Sequence, residues 1–113
     1  MNQTIDPTEV IREMAADFPD VDKGTSCNQS SFKAKGRSFL FIGPGAKGMG
    51  YKAMFKLKDS MAAAQALASG KPHRFEIGTT GWVTARFSAE DPLPRSVWEV
   101  WLNESYLLSV RPK

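Results

Sequence analysis

From Tyr51 to Lys58 the chain alternates without a break. Tyr51, Ala53, Phe55 and Leu57 share one parity, while Lys52, Met54, Lys56 and Lys58 share the other. Successive side chains along a strand point to opposite faces, so this stretch predicts a strand with one face in the core and one toward water. Such a strand belongs to an antiparallel sheet that carries its helices on a single side.

The flanking segments fill in that plan. Asp6 suits an N-cap, Pro7 the first helical position and Glu9 the third position of a capping box, which predicts a helix over residues 7–18. Val10, Met14 and Phe18, joined by Ile11 and Ala15, form its apolar stripe, and Pro19 stops it. The polar run from Asp20 to Gln29 reads as a connecting loop. Residues 31–35 and 37–42, linked by Gly36, read as a hairpin, and the glycine-rich run 43–50 as a loop. Asp59 and Ser60 introduce an alanine-rich helix over residues 61–69 that ends at Gly70. Strands follow over 73–77 and 82–87, and a last helix spans 95–108 after Pro92 and Pro94. The expected order is α-β-β-β-α-β-β-α, an α+β domain with a single antiparallel sheet.

Length and composition exclude several classes. The 113 residues suit one domain over positions 1–113, and three Trp, seven Phe and two Tyr supply a core that a disordered chain lacks. No apolar run approaches the roughly 20 residues of a membrane span, and Met1 to Asp6 lack the features of a signal peptide. These readings predict a soluble, cytoplasmic protein without a membrane partner. Cys27 is the one cysteine and His73 the one histidine, which excludes an internal disulfide framework and any multi-thiolate metal site.

The net charge of +3 conceals an asymmetry. Residues 1–29 hold two basic side chains against six acidic ones, a balance of −4. Residues 30–87 hold ten basic side chains against Asp59 and Glu76 alone, a balance of +8, and the remainder stands at −1. A basic centre of this kind favours polyanionic partners and carries no information about fold.

Few residues suggest catalysis. Gly43-x-Gly45-x-x-Gly48 has the letters of a dinucleotide fingerprint, but that motif must open a helix on which the pyrophosphate rests, and here an alternating strand follows. Met49 stands where a P-loop would place lysine. His73 beside Pro72 and Arg74 reads as a surface residue, Cys27 as incidental, and the first helix's carboxylates as its solvent face. No nucleophile, base and orienting group assemble, so the expectation is a protein that is not an enzyme and needs no metal or cofactor. The basic strands read differently. Lys33, Lys35 and Arg37 alternate, as do Lys52, Lys56 and Lys58, which predicts a positive surface opposite the helices. Such lysines also serve simply to keep a solvated sheet from pairing edge to edge. Trp98 and Trp101, at helical spacing, read as core; Trp82, beside a turn, could stack on a base but reads as core too.

Several short pieces resemble the MmcQ/YjbR-like proteins. They are Phe18-Pro19-Asp20-Val21, the stretch Phe32 to Phe39, Phe55-Lys56-Leu57, Gly81-Trp82-Val83-Thr84 and the run Trp101 to Tyr106 that contains Ser105-Tyr106. Two stretches depart from the pattern: the polar Thr25 to Gln29 and the long loop Gly43 to Gly50. The resemblance implies a small bacterial α+β domain of frataxin-like or secretion-chaperone-like cast, with paired hairpins proposed as a double-wing DNA-binding feature. It implies no catalytic residues. The resulting expectation is DNA binding through phosphate contacts from Lys33, Lys35, Arg37, Lys47, Lys52 and Lys56. The alternative is a protein-interaction or chaperone-like module.

Overall fold

A computed structural model describes residues 7–26, 29–45 and 50–110. Along the chain run α1 (Thr8–Asp17), β1 (Val21–Ser26), β2 (Gln29–Ala34), β3 (Arg37–Pro44), β4 (Tyr51–Lys56), α2 (Met61–Gly70), β5 (Phe75–Ile77), β6 (Trp82–Phe87) and α3 (Arg95–Val110). The six strands form one sheet in the order β1-β2-β3-β4-β6-β5, and every neighbouring pair is antiparallel. The α+β class, the single antiparallel sheet and the three helices agree with the sequence. No described helix is long and apolar enough to cross a membrane.

One strand exceeds the expectation. Val21 to Ser26 lies in the stretch that reads as a loop, yet it pairs with β2 along its whole length. It is an edge strand with almost no apolar periodicity, because ladder hydrogen bonds rather than burial hold it, so two-residue patterning could not reveal it. Its ties to apolar surface are Val21, which packs against the core, and Lys23, which pairs with buried Phe32 and holds its ammonium 6.0 Å from that ring's centroid. Asp20, at φ 59°, lies in the turn that leads from α1 into β1.

The β2–β3 hairpin turns through Lys35 and Gly36, both at positive φ (53° and 79°), which is the backbone of a two-residue type I′ connection. Between Phe32–Leu40 and Lys33–Ser38 the register slips by one residue. Phe39 is therefore a bulge, and both Phe39 and Leu40 are buried.

The inner row of the sheet contains Phe32, Ala34, Leu40, Ile42, Ala53, Phe55, Val83, Ala85, Phe87 and Phe75, all buried in one core with Ile11 and Ala15 of α1, Ala64 of α2 and the inner side of α3. Trp101 stands edge-on to both Phe55 and Phe75, each at a centroid separation of 5.9 Å. As the sequence predicts, Phe55, Leu57, Trp98, Trp101 and Leu102 are core. The carboxylates Glu9, Glu13 and Asp17 are exposed on α1, again as expected. The proposed cap Asp6 lies outside the described residues.

Candidate nucleic-acid interface

Three consecutive residues of α3 fix what lies beneath the open face of the sheet. The β3–β4 ladder ends at Leu40–Phe55. Beyond it the two strands are joined through Ser105, whose hydroxyl accepts the Lys56 N–H at 2.9 Å and donates to the Phe39 carbonyl at 2.6 Å. Next to it, Glu104 accepts the Lys58 N–H at 2.5 Å, the Ser60 N–H at 3.1 Å and the Ser60 hydroxyl at 2.6 Å. A carboxylate from another helix thus meets the donors at the start of α2, and Ser60 makes no side-chain cap of its own. Burial pushes the Glu104 carboxyl up, but the hydrogen bonds from the Ser60 side chain and from the Lys58, Ser60 and Asp59 backbone outweigh it and hold the group below its ordinary value. Tyr106 completes the set. It donates to the Pro19 carbonyl at 2.9 Å and stacks on Phe18 at 4.2 Å.

The described helices pack on the inner row of the sheet, and none of them covers the outer row. From β2 to β6 it carries Ser31 and Lys33, then Ser38 and Phe41, then Lys52, Met54 and Lys56, then Trp82, Thr84 and Arg86. Phe41 and Trp82 are half-buried, and neither they nor Met54 belong to the core or pack against it. Their rings approach across β4 to 5.4 Å between centroids, tilted by 54°.

Two depressions adjoin on this face. One, of about 420 Å³, lies where Ser105 spans β3 and β4; Phe41, Met54 and Trp82 line it with Arg37 and Lys56. The other, of about 670 Å³, lies over β1 to β3, where Gly24, Ser31 and Ser38 keep the surface low beside Lys33 and Asp22, which stand opposite each other. Ser38 and Phe41 belong to both. The result is a trough across the strands with cations at intervals and aromatic rings at one end.

The structure redistributes the six cations named from the sequence. Lys33, Lys52 and Lys56 share the outer row, with Lys52 half-buried. Lys35 does not belong to that row, because it occupies the hairpin turn. Arg37 pairs with buried Ala34 and so stands in the other row, although it lines the first depression at the strand's end. Lys47 lies outside the described residues. Lys58 lies beyond the end of β4. The reason is shared: the parity rule holds only inside a regular strand, and a turn, a bulge and a strand end each interrupt it.

Pairing separates the cations further. Arg74 bonds Asp91 at 2.8 Å and Arg86 bonds Glu76 at 2.8 Å. Arg86's hydrogen bond and charge, with a smaller contribution from Lys52, hold the exposed Glu76 carboxyl below its ordinary value. Among the described residues, Lys33, Arg37, Lys52 and Lys56 form no ion pair.

Two sequence readings change here. Trp82, read as core, lies on the uncovered face, because the strand that it opens places it opposite Lys56 and in the same row. Phe41 is hard to distinguish in the sequence, since it sits inside a dense apolar run. Its signal was parity, as it is out of phase with buried Leu40 and Ile42. His73 is exposed in the turn before β5, and among the described residues no three His, Cys, Asp or Glu side chains gather to hold a metal ion.

No protein-family model and no curated protein matches the sequence. Among solved structures, the chain is similar to Deinococcus radiodurans protein DR2400, a DUF419 domain, over 96% of this chain and 81% of that one. The TM-score is 0.69 and the sequence identity 16%, so the likeness is one of fold: the chain has the architecture of a DUF419 domain, which is a YjbR/MmcQ-like fold.

Proposed function

We propose that the uncovered sheet face binds DNA through its phosphates, and that the protein acts as a binder rather than a catalyst. The observation that carries this reading is the position of Lys33, Arg37 and Lys56: all three line the two adjoining depressions, and among the described residues none forms an ion pair with a carboxylate. Unpaired cations on a surface release bound anions, and a polyanion that displaces those and sheds its own counterions gains affinity. No helix projects from this face into a groove, so the contacts favour backbone over base edges and the binding is largely independent of sequence. The family resemblance, with its hairpins proposed to bind DNA, agrees with this.

A titration of labelled duplex by fluorescence anisotropy tests it. Dissociation constants of roughly 10⁻⁴ to 10⁻⁶ M are expected at physiological salt, with a log–log salt slope near −0.9 per phosphate contact. The double variant Lys52→Glu with Lys56→Glu should weaken binding equally for unrelated duplexes and flatten that slope. Absence of binding at tens of micromolar protein in low salt, where phosphate contacts tighten the dissociation constant well below that concentration, rejects the reading.

The protein-interaction reading has one observation in its favour. Val100 and Leu107 are 54% and 55% exposed on α3 beside a depression of about 390 Å³. Binding to a protein through that surface would change little with salt, which separates the two readings.

A further inference from the structure

Resting on the DNA-binding reading, we infer that the trough is built for single-stranded rather than double-stranded DNA, with the depression that Phe41 and Trp82 line receiving an unstacked base. Three features of the same face lead to this. The first is the aromatic pair itself. A tryptophan and a phenylalanine stand half-buried on a sheet surface that no helix covers, and they do not pack against the core. Tilted by 54° at 5.4 Å, they do not hide one ring behind the other as a flat stack would. Base faces are the natural partner of such rings, and a duplex keeps its base faces stacked inside.

The second feature is volume. At about 420 Å³ the depression falls within the roughly 300–1,000 Å³ of sites that enclose small organic groups, whereas a lysine-studded surface that merely met duplex phosphates would need no cavity. The depression opens where the β3–β4 ladder ends: Ser105 bridges the Phe39 carbonyl and the Lys56 N–H there, and Leu108 and Ser109 of α3 line the space with it. The third is the ordering of charge. Arg37 and Lys56 stand at the rim of the aromatic depression, and Lys33 stands at the adjoining one, while the Lys23 ammonium turns to the Phe32 ring on the other side of the sheet. No carboxylate lines the first depression, and Asp22 alone lines the second. Cations spaced along a trough that ends in aromatic rings match a strand whose backbone follows the charges while a base turns inward.

The test compares three probes at equal salt: a labelled oligo(dT) of about 12 nucleotides, within the span of known single-strand sites, a duplex of the same length, and thymidine monophosphate. The oligo(dT) should bind about tenfold more tightly than the duplex, the factor expected from one stacked base. Binding should quench tryptophan fluorescence, and the quench should vanish in Trp82→Leu while Trp98 and Trp101, both buried, are retained. Trp82→Leu and Phe41→Leu, checked for folding by thermal unfolding, should each remove most of the preference for the single strand. Equal affinity for the two DNA forms, or a preference unchanged in Trp82→Leu, overturns this inference and leaves the phosphate-binding reading standing if Lys52→Glu with Lys56→Glu still loses affinity. Thymidine monophosphate binding as tightly as oligo(dT) also overturns it, since the site would then serve a free nucleotide. Failure of both DNA forms to bind rejects the two readings together.

Discussion

The two faces of this sheet treat polar groups in opposite ways. On the helix side, α3 brings Glu104, Ser105 and Tyr106 into contact with the rest of the chain, and each is consumed: one at the start of α2, one between β3 and β4, one on the Pro19 carbonyl. No buried side-chain nitrogen or oxygen among the described residues lacks a hydrogen-bond partner. On the open side, Lys33, Lys52 and Lys56 form no ion pair with any described residue and stand beside half-buried aromatic rings. Groups that hold a fold together find their partners within it, because an unsatisfied buried group costs about 1–3 kcal/mol. Cations left without partners on an uncovered face cost nothing in water and remain available to something outside.

The sharpest break in this comparison is between two tryptophans. Trp101→Ala should cost about 3–5 kcal/mol, since it empties a site packed against Phe55 and Phe75. Trp82→Ala, losing one ring contact on the open face, should cost about 0.5–1.5 kcal/mol. Urea unfolding of both variants measures the gap, and equal losses would mean that the two faces do not differ as described.

Ser105→Ala comes next. It leaves the Phe39 carbonyl and the Lys56 N–H without their shared partner, so a loss of about 1–3 kcal/mol is expected. Hydrogen exchange at the Lys56 amide should accelerate more than at the Phe55 amide, which the ladder region protects. An unchanged Lys56 rate would show that the hydroxyl bridge does not hold the strands.

The smallest effect concerns acid. Glu104 has a folded-state pKa below its ordinary 4.5, so the unfolded chain binds its proton more readily than the folded one. Its contribution is therefore complete above that ordinary value and is lost as pH falls through the lowered folded one. Glu104→Gln should flatten the fall in stability over that acid range, and at neutral pH should cost about 1–2 kcal/mol for its charged hydrogen bonds. A variant with the same acid profile as the native chain would place the acid sensitivity elsewhere.

How much of this was legible from the sequence follows from what each signal depends on. The alternation from Tyr51 to Lys56 located β4, its buried row and its lysine row, because side-chain parity is a local property of an extended backbone. The stripe of α3 likewise located Trp98, Trp101 and Leu102 in the core. Gly36 marked the first hairpin, and the balance of +8 marked the region where unpaired cations gather. The rest was decided in three dimensions. Val21 to Ser26 is a strand only because β2 offers it a ladder, and the bulge at Phe39 changes which side Arg37 faces. Arg86 has the same charge as Lys56 in the sequence, yet Glu76 of the neighbouring strand neutralises it. Trp82 and Phe41, 41 positions apart, meet because β3 and β6 both flank β4. Local sequence thus set the periodicity, the row of each side chain within a regular strand and the total charge. Which rows stay uncovered, which cations stay unpaired and which rings share a cavity depend on contacts between distant segments, and only the packed chain decides those.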